Sequence, residues 1–291
     1  MTSGLPYIYA LLRILLGLVG CEYLFGLRDL GMYWDPGGLM PVAEDGWQQV
    51  VVSAGWGAIF GRSLYLINVI VAVLMTVGYR SSLMVPASVV TGLLQSSWNP
   101  LPLSGAFETR AALLFCLMWA NCGQVWSIDA WVARRRGHAV AVMSDRPVAL
   151  WPLRLIRVQV AVIYVSTGLW KLGSTEWRYG TALHYVLSNN GFARLPGSLP
   201  PAAAELLALG TYVTLLWELS FPLLVAFKRT RWIALAIGVA LHLGMWLTIE
   251  LGPFPWVMLA SYVSYVEPAT MARLVASLKS ASRPKLAPKV A

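Results

Sequence analysis

Charge is scarce in this chain, and histidine and cysteine are rarer still. Only 12% of its 291 residues are Asp, Glu, Lys or Arg, against 58% hydrophobic. Soluble domains carry about twice that share of charge, so a water-soluble globule is excluded and a polytopic membrane protein is expected. The three cysteines, Cys21, Cys116 and Cys122, are odd in number and contain no CxxC pair, which argues against a disulfide framework or a zinc site. No HExxH, no phosphate-cradling glycine loop and no long internal repeat is present, and no metal is expected. Long runs of alternating polarity are missing as well. Backbone in lipid must satisfy its own hydrogen bonds, so the fold class expected is all-α, a polytopic membrane helical bundle rather than a barrel.

What remains is apolar runs of spanning length. Windows of roughly 17 to 25 residues place helices near 6–26, 62–79, 82–98, 109–127, 155–172, 203–227, 231–250 and 253–267, about eight transmembrane helices. Residues 47–60 are apolar but short, and read as a re-entrant or interfacial piece. The N-terminus has no charged leader and carries Arg13 inside its apolar run, so the first span is expected to be retained rather than cleaved. Residues 1–267 form one transmembrane domain in this reading, and 268–291 a basic cytoplasmic tail.

The charges that exist are unevenly placed. Arg134, Arg135, Arg136, Arg146, Arg154 and Arg157 cluster between the fourth and fifth spans, Lys228, Arg229 and Arg231 between the sixth and seventh, and Arg273, Lys279, Arg283, Lys285 and Lys289 after the last. With eight spans all three clusters fall on one side, together with Arg80, and the positive-inside rule makes that side cytoplasmic. Both termini are then cytoplasmic, in the multi-pass protein of a cell's inner membrane. The loop from Arg28 to Arg62, with Asp29, Asp35, Glu44 and Asp45, and the loop from Lys171 to Pro201 face the other way. The net charge of +9 follows from this asymmetry, so the lipid bilayer and its headgroups suffice as partner and no nucleic acid is called for.

Polar side chains inside the spans are the informative ones. Tyr164, Thr167 and Lys171 recur at intervals that stack them on one helical stripe; so do His242, Trp246 and Glu250, and so do Thr211, Thr214 and Glu218. Three such stripes suggest a shared interior cavity. Lys171, His242, Glu250 and Glu22 fall in the extracytoplasmic half, Arg13 and Glu218 in the other. Plainer roles stand beside a chemical one. Arg13 and Glu218 form a structural ion pair, Glu22 and Glu250 are wetted by headgroups, His242 bonds helix to helix, and Lys171 snorkels to the interface.

The run Tyr164, Gly168, Leu169, Lys171, Leu172, then Trp177, Gly180 and Ala182, resembles the core signature of the horizontally transferred transmembrane (HTTM) family, to which the vitamin K-dependent γ-glutamyl carboxylase belongs. Residues 31–41, GMYWDPGGLMP, are similar to the family's loop after the first span; 126–130, WSIDA, to the end of its fourth; and 242–258, HLGMWLTIELGPFPWVM, to its late helix pair. The resemblance runs through nearly the whole chain in order. In size and layout it is most similar to small bacterial members of the sporulation-delaying-protein maturation type, which act in toxin biosynthesis.

The resemblance implies that Lys171 is the base, matching the carboxylase lysine that deprotonates reduced vitamin K so that a γ-proton of glutamate is removed before carbon dioxide adds. Burial disfavours an ammonium form in general, which is how an amine serves as a base. His242 joins Lys171 as a catalytic candidate, and Tyr164, Thr167, Trp177, Trp98, Asn99, Trp246, Glu250 and Glu22 as cavity or substrate-binding candidates. Ser97, Trp98 and Asn99 resemble a carboxylase stretch that ends in a histidine, but Pro100 and Leu101 stand in the last two places. No counterpart of the carboxylase's large lumenal region is expected either. A base-initiated modification of a secreted precursor peptide therefore fits better than glutamate carboxylation itself. A reduced quinone is the implied cofactor, and a small accessory maturation protein an implied partner. The alternative is a non-enzymatic membrane component that exports or presents a toxin-like precursor; a transporter or electron-transfer subunit ranks below both, for want of inverted repeats or haem-type histidine pairs.

Overall fold

A computed structural model describes residues 4–39, 46–100, 105–137, 148–194, 200 and 202–281. Glu44, Asp45, Pro41, Leu101, Arg146 and the tail residues Arg283, Lys285 and Lys289 lie outside the described residues. The architecture is a helical bundle, with no strand among the described residues beyond a single bridge between Ala193 and Ile249.

The apolar runs become helices close to where hydropathy places them. They are α1 (Leu5–Gly26), α4 (Gly57–Val77), α5 (Ser81–Trp98), α6 (Gly105–Leu117), α8 (Trp151–Gly173), α11 (Ala203–Ala226), α12 (Lys228–Thr248) and α13 (Phe254–Ser261), the last continued by a 3-10 turn at Tyr262–Tyr265. Between them lie short helices: α2 (Leu30–Tyr33), α3 (Trp47–Ser53), α7 (Ile128–Arg135), α9 (Thr175–Arg178) and α10 (Ala182–Ser188). A final helix, α14, spans Pro268–Ala281. Five of the described helices, α1, α4, α8, α11 and α12, are long and apolar enough to cross a membrane. The expected fourth span is helical only to Leu117, because the chain then enters an irregular turn, and the eighth is broken into α13 and its 3-10 turn. Outward-facing side chains such as Leu66, Ile70 and Val73 on α4, or Leu209 and Leu216 on α11, are about half exposed or more. Such a surface belongs in lipid, and the protein is a multi-pass membrane protein.

Side-chain contacts define two ends of the bundle. At one end Asp129 reaches across from α7 so that its two carboxylate oxygens accept the backbone N–H groups of Arg80 and Ser81, each at 2.7 Å, where α5 begins. Ser127 caps α7 by accepting from Ala130 N at 2.9 Å, which explains the Ser and Asp of the WSIDA stretch. Gly78 turns the chain at φ +73, and a Cβ there would collide with Ser127 and with the Arg13 guanidinium. Tyr9 ties α1 to α8 by donating to Ala149 O and accepting from Leu153 N. Arg157 donates to Ser264 O at 2.6 Å, and α14 packs on α1 through buried Met271 and Val275. Among the described residues, Arg134 and Arg135 on α7, Arg157, Arg231 and Arg273 lie at this end.

The opposite end is built on Trp34, which is fully buried and donates its indole N–H to Leu27 O at 2.9 Å. Trp98 donates to Trp34 O at 3.2 Å and Asn99 to Tyr33 O at 2.7 Å. Asp29 caps α2 by accepting from Met32 N. Asp35 pairs with Arg62, whose hydrogen bond holds the Asp35 carboxyl below its ordinary range. Residues 27–35 of the loop after the first span are thus latched onto α4 and α5, around an apolar cluster of Leu24, Leu27, Trp34, Leu64, Tyr65, Ala72 and Trp98.

Candidate functional site

The stripe Tyr164, Thr167, Lys171 on α8 faces α11, and the two helices come close because Gly168 stands between them. A Cβ on Gly168 would lie 2.9 Å from Leu219 Cδ2. Gly168→Val is expected to push the helices apart and destabilise the protein by about 1–3 kcal/mol, the usual effect of overpacking, read as a lower thermal midpoint in detergent. Gly180 has its own requirement. It turns the chain at φ +75 against the ring of Tyr212, which donates to Arg178 O at 3.0 Å.

That close approach creates a polar column. The Lys171 ammonium forms a direct ion pair with the Glu218 carboxylate of α11. Thr167 Oγ1 lies 3.4 Å from the other Glu218 oxygen, and the indole of Trp177 covers Lys171 Nζ at 4.6 Å from its ring centroid. The Lys171 side chain is 20% exposed and that of Glu218 8%, so the pair sits just beneath the surface. Two turns back along α8, Tyr164 OH is 2.7 Å from His242 Nε2 and 2.6 Å from Tyr262 OH. Trp217 and Phe221 pack against the Tyr164 ring. His242 is 1% exposed, and its Nδ1 has no hydrogen-bond partner among the described residues. Gly238, one turn before it, leaves the space that Tyr262 OH and Trp217 occupy.

The structure therefore brings Lys171, Thr167, Tyr164, Trp177 and His242 into one column, and adds Glu218 to it. The expected Arg13–Glu218 ion pair is not formed. Arg13 is fully buried and donates to the backbone oxygens of Cys122 and Trp126, because the irregular turn after α6 leaves those carbonyls without helical partners. Glu218 instead lies level with Lys171, not in the opposite half of the bundle. The first turns of α11 lie alongside α9 and α10 rather than α8, so distance from the span end does not give its level. Trp98 and Asn99 are also outside the column and secure the loop after the first span. Glu250 pairs with Arg194 at 2.9 Å, whose guanidinium lies over Trp246, itself packed on Trp256. The segment after α10 returns alongside residues 248–250 and brings Arg194 to both Glu250 and Trp246. Glu22 is exposed on α1, within electrostatic reach of Glu250.

Two residues escaped sequence reasoning. Tyr262 belongs to a 3-10 turn, whose periodicity hides it. Arg110 is a buried arginine on α6 that donates to Leu16 O at 2.8 Å and Ser88 Oγ at 3.2 Å. It sits near the start of its expected span and reads as a flanking charge, although Gly20, which opens the space for its guanidinium, is the signal that was there to find.

The HTTM domain model matches residues 56–269, a range that includes the whole column. The chain is also 26% identical over 130 residues to sporulation-delaying protein SdpB of Bacillus subtilis (strain 168). That match covers 43% of this chain and 40% of the relative. No solved structure matches the chain. With the family model covering most of its length, the chain belongs to the HTTM domain family.

Proposed function

We propose that this protein modifies a secreted precursor peptide during its maturation, with Lys171 as general base at the extracytoplasmic face. The observation that carries the reading is the Lys171–Glu218 pair under Trp177, at the end of the bundle opposite the arginine clusters. In this reading α5, α6 with its following turn, and α13 with its 3-10 turn complete about eight spans, both termini are cytoplasmic, and the membrane is the inner one. The similarity to a sporulation-delaying protein supports a peptide toxin as the end product.

The chemistry follows from the pair. In a site shielded from water, passage of the Lys171 proton to the Glu218 carboxylate leaves a neutral amine beside a neutral acid, and the amine is then free to accept a substrate proton. Thr167 holds the carboxylate in place and Trp177 excludes water from the amine. Tyr164 and His242 fix the far end of the column, and the His242 Nδ1 is a second atom able to hold a proton.

A reduced quinone is the cofactor this reading implies, and the residues fit one. An amine and a carboxylate side by side suit a ring hydroxyl, the Trp177 face suits a ring, and the exposed Leu169, Trp170 and Leu172 suit an apolar tail. When bound, the quinol supplies with oxygen a stronger base than an amine can be. A small accessory protein would recognise the peptide.

The test is mass spectrometry of the secreted precursor from cells with and without this protein. A mass change that depends on it supports a modifying enzyme. An unchanged mass with altered export favours instead the non-enzymatic presenting role, in which changes in the 28–62 loop matter more than changes at Lys171.

A further inference from the structure

Away from the column, at the arginine-rich end, a polar pocket of about 460 Å³ lies between the first turn of α5 and the irregular turn 118–123 that follows α6. Irregular backbone at the edge of a membrane persists where it lines a wet or polar cavity. Ser81, Ser82, Asn121, Gly123, Trp119 and Asp129 contribute to its walls.

Two of the polar groups there, Asp129 and Ser81, have acceptor capacity to spare. Each Asp129 carboxylate oxygen takes one backbone N–H, from Arg80 or Ser81, which leaves each oxygen with further acceptor capacity. Those two successive N–H groups point the same way because Arg80 has a left-handed backbone, φ 45, and together they pin the carboxylate. The Ser81 hydroxyl is buried, in a residue 2% exposed, and has no hydrogen-bond partner among the described residues. Both oxygens converge over Gly123, where a Cβ would lie 2.8 Å from Ser81 Oγ and 3.0 Å from Asp129 Oδ2. Glycine keeps that point free of a side chain.

One wall of the pocket faces lipid. Trp119 is 51% exposed and stands in a row between Phe115 at 6.3 Å and Trp151 at 6.2 Å, both about as exposed. Half-exposed aromatics at the end of a bundle mark the level of the headgroups. Arg80 is exposed on the rim.

We infer that this pocket binds the primary ammonium of a phospholipid headgroup of the ethanolamine type. Asp129 supplies the opposite charge, Ser81 Oγ and Asp129 Oδ2 accept N–H donors, the Trp119 indole offers a π-face to the cation, and Arg80 meets the phosphate. The chemistry discriminates among headgroups. A choline ammonium has no N–H to give to the converging oxygens, and a glycerol headgroup has no cation for Asp129. A soluble amine satisfies the oxygens equally but makes no use of the lipid-facing aromatic row, which is why a lipid is favoured.

The experiment uses the full-length protein purified from nanodiscs containing equal amounts of phosphatidylethanolamine, phosphatidylcholine and phosphatidylglycerol, with retained lipid counted by native mass spectrometry. Phosphatidylethanolamine is expected to be retained about tenfold over phosphatidylcholine. Ser81→Ala and Trp119→Ala should each bring the ratio back toward that of the bilayer while the protein stays folded, as its thermal unfolding transition shows. Retention in the bulk ratio, preference for phosphatidylglycerol, or enrichment that survives both substitutions would each overturn the assignment. Competition by free ethanolamine as strong as by the lipid would reassign the site to soluble amines and overturn the lipid.

Discussion

Lys171→Ala is expected to lower conversion of the precursor peptide by about 10²- to 10⁴-fold, the range for loss of a positioned acid–base group. Lys171→Arg should be nearly as inactive, because a guanidinium keeps its proton and cannot act as a base. Charge and stability can be separated from chemistry through Glu218. Glu218→Leu alone leaves the Lys171 cation without its partner beneath the surface. Breaking a buried pair costs about 3–5 kcal/mol, and the lower end is expected here because the Lys171 side chain is a fifth exposed. The double variant Lys171→Met with Glu218→Leu removes both charges, so its thermal midpoint should return close to that of the parent protein while conversion stays absent. Precursor mass and thermal midpoint, measured on the same variants, check this. Full conversion by both Lys171 variants would sink the base assignment, whereas a double variant as unstable as Glu218→Leu would sink the account of the pair.

Arg13→Leu should produce the largest loss of stability away from the column. Its guanidinium, fully buried, satisfies the carbonyls of Cys122 and Trp126, and each buried polar group left unpaired costs about 1–3 kcal/mol. A loss of about 3 kcal/mol is expected by denaturation in detergent. Because Arg13 does not touch Glu218, the effects of Arg13→Leu and Glu218→Gln should add to within about 0.5 kcal/mol. A coupling well above that would mean the two residues meet after all.

Much of the column was legible beforehand. Intervals of three and four residues put Tyr164, Thr167 and Lys171 on one face, and the flanking glycines and Trp177 tied that face to a family. The partner of Glu218 was not legible, since periodicity tells which residues share a face but not how far one helix slides along another. Trp246 and Glu250 share the stripe of His242 on paper, yet a loop brings Arg194 to them first. A short resemblance makes Trp98 and Asn99 site candidates, whereas their contacts are to the loop residues Trp34 and Tyr33.

By itself the sequence determined the solvent, the helices and their polar faces, because these depend on composition and on spacing within a single segment. Apolar runs must form helices in lipid, and a run's length and its charges are local properties. Tertiary structure alone decided the partners: Lys171 with Glu218, Arg13 with two carbonyls of an irregular turn, Tyr164 with both His242 and Tyr262, and Asp129 with the start of α5. Those pairings depend on helix register and on the close approach that single glycines such as Gly168 and Gly238 permit, and register is set by the packing of whole helices against one another.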